Sequence, residues 1–202
     1  TSPTQSFTIT VNSVNDAPTV SLGSIPTIIE DGGSQSVPGF ASFNAGPGES
    51  QSLLGYTVSN ISNPAMFAAG PSVSNTGVLT YTPAPNASGS VSFTVTARDS
   101  GGTANGGVDT SSPAQATLTI TNVNDAPSFA AANPPASNED AGTVVVANWS
   151  SFNPGPFEGD QTAEYTITNV SNPALFATLP SVNAFGSLSY VTSANASGTS
   201  SF

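Results

Sequence analysis

The side chains best suited to chemistry in this chain are its 12 carboxylates and its many asparagines, which offer oxygen ligands to hard cations. All of the acids except Glu164 fall in predicted loops or linkers, whose remaining polarity is mostly Ser, Thr and Asn. Clustered carboxylates repel one another unless a cation or water separates them, and Ca²⁺ takes roughly six to eight oxygens in flexible geometry. Loops are also where charged residues ordinarily lie, but the pattern favours calcium sites at the loop ends.

Composition excludes several other classes of function. The formal net charge is −11 and Arg98 is the single basic residue, so we expect no nucleic-acid partner and no binding to an anionic membrane. The chain has no Cys and no His, which removes disulfides, the usual zinc ligands and Cys- or His-based catalysis. No apolar run is long enough to span a membrane, so no membrane insertion is expected within these residues.

Paired acids could also cleave glycosides, and the candidate pairs are Glu49 with Asp99 and Glu158 with Asp160. No aromatic-lined cleft accompanies either pair, and both lie where a linker needs cation ligands. The sequence therefore predicts that the chain is not an enzyme.

A short motif organises the chain. The stretch Val14–Pro18 (VNDAP) returns as Val123–Pro127, with each residue 109 positions after its counterpart. Each copy follows an alternating apolar run, such as Phe7, Ile9 and Val11, which is typical of a strand with one buried face. Proline cannot donate to a sheet ladder and favours an extended residue before it. We interpret the two copies as domain junctions.

The junctions divide the chain into three segments. Residues 1–14 are predicted to be the last strand of a preceding repeat, 15–123 a complete repeat, and 124–202 a second repeat that lacks its last two strands. Phe202 aligns with Phe93, so the residues matching 94–122 are expected to follow in a longer polypeptide.

Within the complete repeat, short runs rich in Val, Ile, Thr, Phe and Tyr alternate with turn residues, and no helical apolar stripe is present. Seven such runs suit an all-β Greek-key β-sandwich of about 100 residues. The predicted strands are Thr19–Leu22 with Thr27–Ile29, Ser36–Phe43, Leu53–Ser59, Met66–Ala69, Val78–Thr82, Ser90–Ala97 and Ala114–Thr121.

Successive loops of an antiparallel sandwich lie at opposite ends, which sorts the acids into two groups. The group expected at the incoming end of the repeat is Asp16, Glu49, Asp99 and Asp109. The group expected at the outgoing end is Glu30 and Asp31, near Asp125, Glu158 and Asp160 of the next repeat.

With VNDAP at its seams, the chain resembles the cadherin-like, immunoglobulin-like tandem repeats of large bacterial extracellular surface proteins and adhesins. The resemblance implies about seven strands per 109-residue repeat. It places the cadherin linker on Ser13–Ala17 and Asn122–Ala126, the first-strand Glu on Glu30 and Glu139, and the Asp of "A-x-D-x-G" on Asp99. It also places the Asp-rich loop of the family near Asn44–Glu49 and Asn153–Asp160.

Two departures from the family pattern weaken the implied site. The Asp-Arg-Glu of cadherins is replaced by Asn86–Ser88, and the first linker Asp is Ser13 or Asn122. The resemblance therefore implies one or two weakly bound Ca²⁺ per junction rather than three. The expected metal ligands are Asn15, Asp16, Glu30, Asp31, Asn44, Glu49, Asp99, Asn124, Asp125, Glu139, Asp140, Glu158 and Asp160.

Taken together, these features predict an extracellular structural and adhesive spacer, secreted as part of a repetitive surface protein or filament, with junctions stiffened by calcium. The expected partners are neighbouring repeats, other copies in a filament, or cell-surface glycans. A glycan- or self-binding module and an accessory domain of a secreted enzyme are the alternatives. Five Asn-x-Ser sequences are a weaker signal, which chance mostly explains in a chain so rich in Asn and Ser: Asn60, Asn86, Asn148, Asn169 and Asn195.

Overall fold

A computed structural model describes residues 2–202 and divides the chain into two compact units, one ending at Val123 and the other spanning Asn124–Phe202. The first unit contains nine strands. They are β1 (Thr19–Leu22), β2 (Ile28–Ile29), β3 (Gln35–Val37), β4 (Ala41–Asn44), β5 (Leu53–Ser59), β6 (Phe67–Val73), β7 (Leu79–Pro83), β8 (Gly89–Asp99) and β9 (Ala114–Thr121). Short 3₁₀ turns cover Pro64–Met66 and Ala104–Gly106.

The strands of the first unit form a four-stranded sheet in the order β2-β9-β8-β5, a three-stranded sheet β3-β7-β6 and the pair β1-β4. All pairs are antiparallel except β2 and β9. The chain passes from β5 in one sheet to β6 in the other and returns from β7 to β8, as in Greek-key sandwiches. The predicted all-β sandwich is confirmed.

Alternation along β8 and β9 builds the core. Val91, Phe93 and Val95 are almost fully buried, and they pack with Leu118 and Ile120 of β9. Residues of the facing sheet, among them Leu79 and Tyr81, complete the same cluster. Burying an aliphatic or aromatic side chain of this size contributes about 1.5–3 kcal/mol relative to leaving it exposed. The sandwich of the first unit therefore has an apolar core of its own.

One predicted strand is two strands in the structure. The expected strand Ser36–Phe43 is interrupted at Pro38-Gly39, where Gly39 adopts a φ of 66°. That left-handed conformation suits glycine and breaks the extended backbone. The two halves consequently join different partners, since β3 pairs with β7 and β4 pairs with β1.

The second unit repeats part of the first. Its strands are β10 (Ser128–Ala131), β11 (Thr143–Val146), β12 (Ser150–Asn153), β13 (Phe176–Val182) and β14 (Leu188–Thr192), and a 3₁₀ turn covers Pro173–Leu175. The pair β10-β12 matches β1-β4, and the sheet β11-β14-β13 matches β3-β7-β6.

Residues 162–168, which align with β5, form no strand. In the first unit β5 pairs with β8, and only the first five residues aligned with β8 are present in this sequence. A segment without a ladder partner leaves its backbone groups to water. Glu164, expected in a strand, is therefore an exposed coil residue.

The segment before the first junction also differs from expectation. Residues 2–14 form no strand, and Phe7, Ile9 and Val11 are 90%, 89% and 89% exposed. The physical reason is the same, because no described strand lies beside this segment to form a ladder. Its assignment to a preceding repeat remains a prediction, and Thr1 lies outside the described residues.

The asparagines of the Asn-x-Ser sequences share one backbone conformation. All five have φ between 51° and 57°: Asn60, Asn86, Asn148, Asn169 and Asn195. Asparagine tolerates this left-handed region better than other residues with a side chain. Asn148 even aligns with Gly39, which has the same sign of φ. Turn geometry thus accounts for these asparagines without glycosylation.

Candidate functional site

The incoming end of the first unit brings Asn15 to Asp99. Asp99 is the last residue of β8 rather than a loop residue as expected, and its side chain is completely buried. Its Oδ1 atom accepts hydrogen bonds from Nδ2 of Asn15 (3.2 Å) and from the backbone N–H of Gly101 (2.9 Å). Its Oδ2 atom has no hydrogen-bond partner among the described residues.

The same end brings Asp16 to Glu49. The backbone N–H of Asp16 donates to Oε1 of Glu49 (3.2 Å), while Oε2 of Glu49 is buried without a hydrogen-bond partner in residues 2–202. The loop that carries Glu49 is shaped by Asn44, whose Oδ1 accepts from the N–H of Gly46 (2.9 Å). The carboxylate of Asp16 itself is exposed.

Glu30 and Asp31 lie at the outgoing end, at the other end of the sandwich from Asp99. The parallel pairing of β2 with β9 continues into a bond from the N–H of Glu30 to the carbonyl of Thr121 (3.0 Å). Glu30 is 3% exposed and its Oε1 accepts from the N–H of Val123, but its Oε2 has no partner in the described part of the chain. Asp31, with φ 57°, accepts from the N–H of Asn86 (2.9 Å).

The second unit repeats the contact between linker and loop. The N–H of Asp125 donates to Oε1 of Glu158 (2.9 Å), which matches the bond from Asp16 to Glu49 position by position. The Oδ1 atom of Asn153 accepts from the N–H of Gly155 (3.1 Å) and repeats the role of Asn44. The contact between linker and loop is therefore formed within each unit by residues at equivalent positions.

Asn124 and Gln161 make contacts that differ from those of the first unit. Nδ2 of Asn124 donates to the carbonyl of Asp125 (3.0 Å), and its Oδ1 accepts from Nε2 of Gln161 (2.8 Å). Sequence reasoning missed this glutamine and also Gln51, whose Oε1 is buried without a partner among residues 2–202. Alignment of the two repeats could have identified Gln51, because it lies at the position equivalent to the candidate ligand Asp160.

The carboxylate of Asp109 forms an ion pair with Arg98. Its Oδ2 atom accepts from Nε of Arg98 (2.9 Å) and its Oδ1 from the hydroxyl of Thr110 (2.9 Å). These hydrogen bonds, first of all the one from Arg98, hold the pKa of Asp109 below its usual value. The sequence places Asp109 in the group of acids expected at the incoming end, but in the structure its carboxylate is paired with Arg98.

The remaining candidates do not join the others. Glu139, Asp140 and Asp160 are exposed on their loops, and within residues 2–202 no hydrogen bond connects them to another candidate ligand. Glu139 thus differs from its counterpart Glu30, which is buried. The expected gathering of Glu30 and Asp31 with acids of the next repeat remains a prediction.

The described acids do not form a dense carboxylate cluster. In the part of the chain that the structure describes, no three Asp, Glu, His or Cys side chains form a group that could hold a metal ion. The acids instead come singly or in contact with amides and backbone N–H groups. Yet buried carboxylate oxygens without a hydrogen-bond partner are found on Glu30, Glu49, Asp99 and Asp125. Such oxygens are costly to bury, and a hard cation completed by carbonyls and water would satisfy them.

The fold and the repeated seam define a tandem immunoglobulin-like β-sandwich protein. A family model for the bacterial Ig domain matches residues 15–121, more than half of the chain. The chain belongs to this family, and the resemblance to immunoglobulin-like repeats of bacterial surface proteins is confirmed. A comparison with curated proteins found no match.

Two general properties of bacterial Ig domains are relevant here. Bacterial Ig domains are usually parts of surface proteins, and they are typically non-enzymatic. Among the described residues, no helix has the length and apolar character required to cross a membrane.

Proposed function

We propose that the chain is a spacer segment of a long, secreted, repetitive surface protein or filament, in which calcium limits bending between consecutive repeats. Two units with matching strands in tandem, the first of them built around an apolar core, suit a mechanical role. The formal charge of −11, with Arg98 as the only basic residue, favours cations as ligands. The neighbouring repeats of the same polypeptide are the proposed partners.

The observation that carries the calcium proposal is the repeated contact between linker and loop. In both units the backbone N–H of a linker aspartate donates to a loop glutamate, Asp16 to Glu49 and Asp125 to Glu158. Neither Glu49 nor Asp125 satisfies all of its buried oxygens with hydrogen bonds from the described residues. At the other end of the first unit, Oε2 of Glu30 is also buried without a hydrogen-bond partner among the described residues. A bound calcium ion would satisfy these buried oxygens.

The proposed sites are weak, which determines what calcium can do. Extracellular modules bind calcium with dissociation constants of roughly 10⁻⁴ to 10⁻³ M. At about ten times that concentration, calcium adds only about 1.4 kcal/mol per site. An increment of this size is small beside the free energy of unfolding of a typical domain, so removing calcium should loosen the linkers more than it melts the sandwiches.

Small-angle scattering on a polypeptide that contains two complete repeats tests the spacer directly. We expect a longer and less variable particle in calcium than in chelator. Asp125→Ala should resemble chelation even in calcium, because it removes a linker carboxylate, whereas the exposed Glu164→Ala should behave as the wild type. A particle that keeps its full length in chelator would show that calcium is not the stiffener.

A catalytic role finds no support in the candidate acid pair of the first unit. Asp99 is completely buried, and Asn15 and Gly101 both donate to its Oδ1 atom. A carboxylate that acts on a glycoside must reach a sugar, which a group in this position does not. The burial of Asp99 therefore supports a non-enzymatic spacer.

A further inference from the structure

We propose that the side-chain amide of Asn15 is a metal-free latch that fastens the glycine-rich loop between β8 and β9 to the linker. This loop, residues 100–108, is named the latch loop. Sequence and family resemblance both assign Asn15 to a calcium site. Its amide nitrogen, which cannot ligate a cation, makes the hydrogen bonds to this loop, while its Oδ1 atom is buried without a hydrogen-bond partner among the described residues.

Three oxygens surround the amide nitrogen of Asn15. Its Nδ2 atom lies 2.7 Å from the carbonyl oxygen of Val108, 3.2 Å from that of Gly102 and 3.2 Å from Oδ1 of Asp99. All three are acceptors, so only a donor or a cation can face them. The amide nitrogen occupies this position, and its two N–H groups are shared among the three oxygens. One of the three oxygens is a carboxylate, and hydrogen bonds to a charged acceptor are stronger than neutral ones.

The backbone of Asn15 joins the same loop. Its carbonyl oxygen accepts from the N–H of Val108 (2.9 Å), so the residue both donates to and accepts from Val108. Asp99 in turn accepts from Gly101, which ties the start of the loop to the end of β8. Main chain and side chain thus fix the linker and the latch loop to each other.

The fit between the latch loop and Asn15 depends on two glycines. A Cβ atom at Gly101 would lie 1.9 Å from Oδ1 of Asn15, far inside van der Waals contact. A Cβ atom at Gly107 would lie 3.1 Å from Cβ of Asn15. The close approach of the Asn15 side chain therefore explains the glycines at positions 101 and 107.

The second linker provides a matched control. Asn124 occupies the same place in the VNDAP motif, but its Nδ2 donates to the neighbouring carbonyl of Asp125 rather than to a loop between strands. An identical substitution at the two positions changes the same local sequence. Only the one at position 15 removes the latch.

The test is amide hydrogen exchange by NMR on the full 202-residue chain, read at the N–H groups of Gly101 and Val108. In the wild type we expect equal protection in calcium and in chelator. In chelator, Asn15→Asp should accelerate exchange at both amides by about tenfold to a hundredfold, because a carboxylate cannot donate to the three oxygens and repels Asp99. Asn124→Asp should leave both amides unchanged.

The inference is overturned if chelator alone releases the two amides in the wild type, since a cation would then hold the loop. It is equally overturned if Asn15→Asp keeps wild-type protection, or if Asn124→Asp loses as much. Should Asn15→Asp not fold, the wild-type comparison still decides. The outcome is independent of the spacer proposal, because particle length in scattering can respond to calcium whether or not the latch loop does.

Discussion

Replacing Glu30 with glutamine should abolish most of the calcium response of the first unit while leaving its stability in chelator nearly unchanged. Glutamine has the same shape, and its Oε1 can still accept from the N–H of Val123. The substitution removes the charge and replaces Oε2, the buried oxygen that has no hydrogen-bond partner among the described residues. Glu30→Gln therefore separates a calcium ligand from a structural acceptor.

The expected size of the effect follows from the burial of Glu30 and from weak binding. In chelator, the buried glutamine loses a charge-assisted hydrogen bond and places N–H donors without an acceptor where Oε2 stood, but it no longer buries an unsatisfied charge, so these opposing changes should cancel within about 1 kcal/mol. In calcium at about ten times the dissociation constant, the wild type gains about 1.4 kcal/mol that the variant does not. For a unit of this size that difference corresponds to about 6–10 °C in Tm.

Scanning calorimetry of the full chain in calcium and in chelator measures both quantities. Glu139→Gln is the matched control, because Glu139 aligns with Glu30 but is exposed. It should leave the calcium response of the first unit intact. An undiminished calcium shift in Glu30→Gln would refute the assignment of Glu30 as a ligand, and the absence of any shift in the wild type would refute calcium binding at this end.

Two further predictions concern the first unit without calcium. Since Arg98 lowers the pKa of Asp109 below 3.8, their pairing stabilises the fold above about pH 4, and this contribution is lost as the pH falls through the folded pKa. The stability difference between wild type and Asp109→Asn should therefore shrink in acid-titrated denaturant melts, and a difference that is constant down to about pH 2 would contradict this reasoning. Gly77→Ala should cost more than about 4 kcal/mol, because its Cβ would lie 2.0 Å from the carbonyl of Ala41 at a φ of 77°. Gly33→Ala, with φ 67° and open space, should cost only about 1–2 kcal/mol in the same melts, and equal losses would argue against the clash.

Much of the fold could be predicted from local sequence. Alternation of apolar residues locates β1, β5 and β9 to the residue, because a strand with one buried face repeats every two positions. The VNDAP motif and its repeat at 109 positions likewise indicate tandem sandwiches. These features depend on neighbours in sequence, which a single chain displays directly.

Pairing between distant segments was not predictable in the same way. Residues 162–168 alternate like β5, yet they form no strand because the partner that would complete the ladder is not beside them. Ser36–Phe43 has a continuous strand pattern, and only the sheets that its two halves join reveal the break at Gly39. Hydrogen bonding in a sheet is decided between strands, and a pattern within one strand does not contain it.

The candidate site also has features that the sequence determined and features that only the tertiary structure determined. The sequence by itself determined that oxygen-rich side chains recur at the two junctions and that the chain carries a net charge of −11, which favours cations over anions as ligands. Only the tertiary structure decided what each oxygen or nitrogen meets. Asp109 is committed to Arg98, Glu30 is buried where Glu139 is exposed, and Asn15 donates to a loop more than 80 residues away in the chain. The type of a residue limits whether its side chain can donate or accept a hydrogen bond. The fold determines which groups surround that side chain, and these groups determine the role it can have.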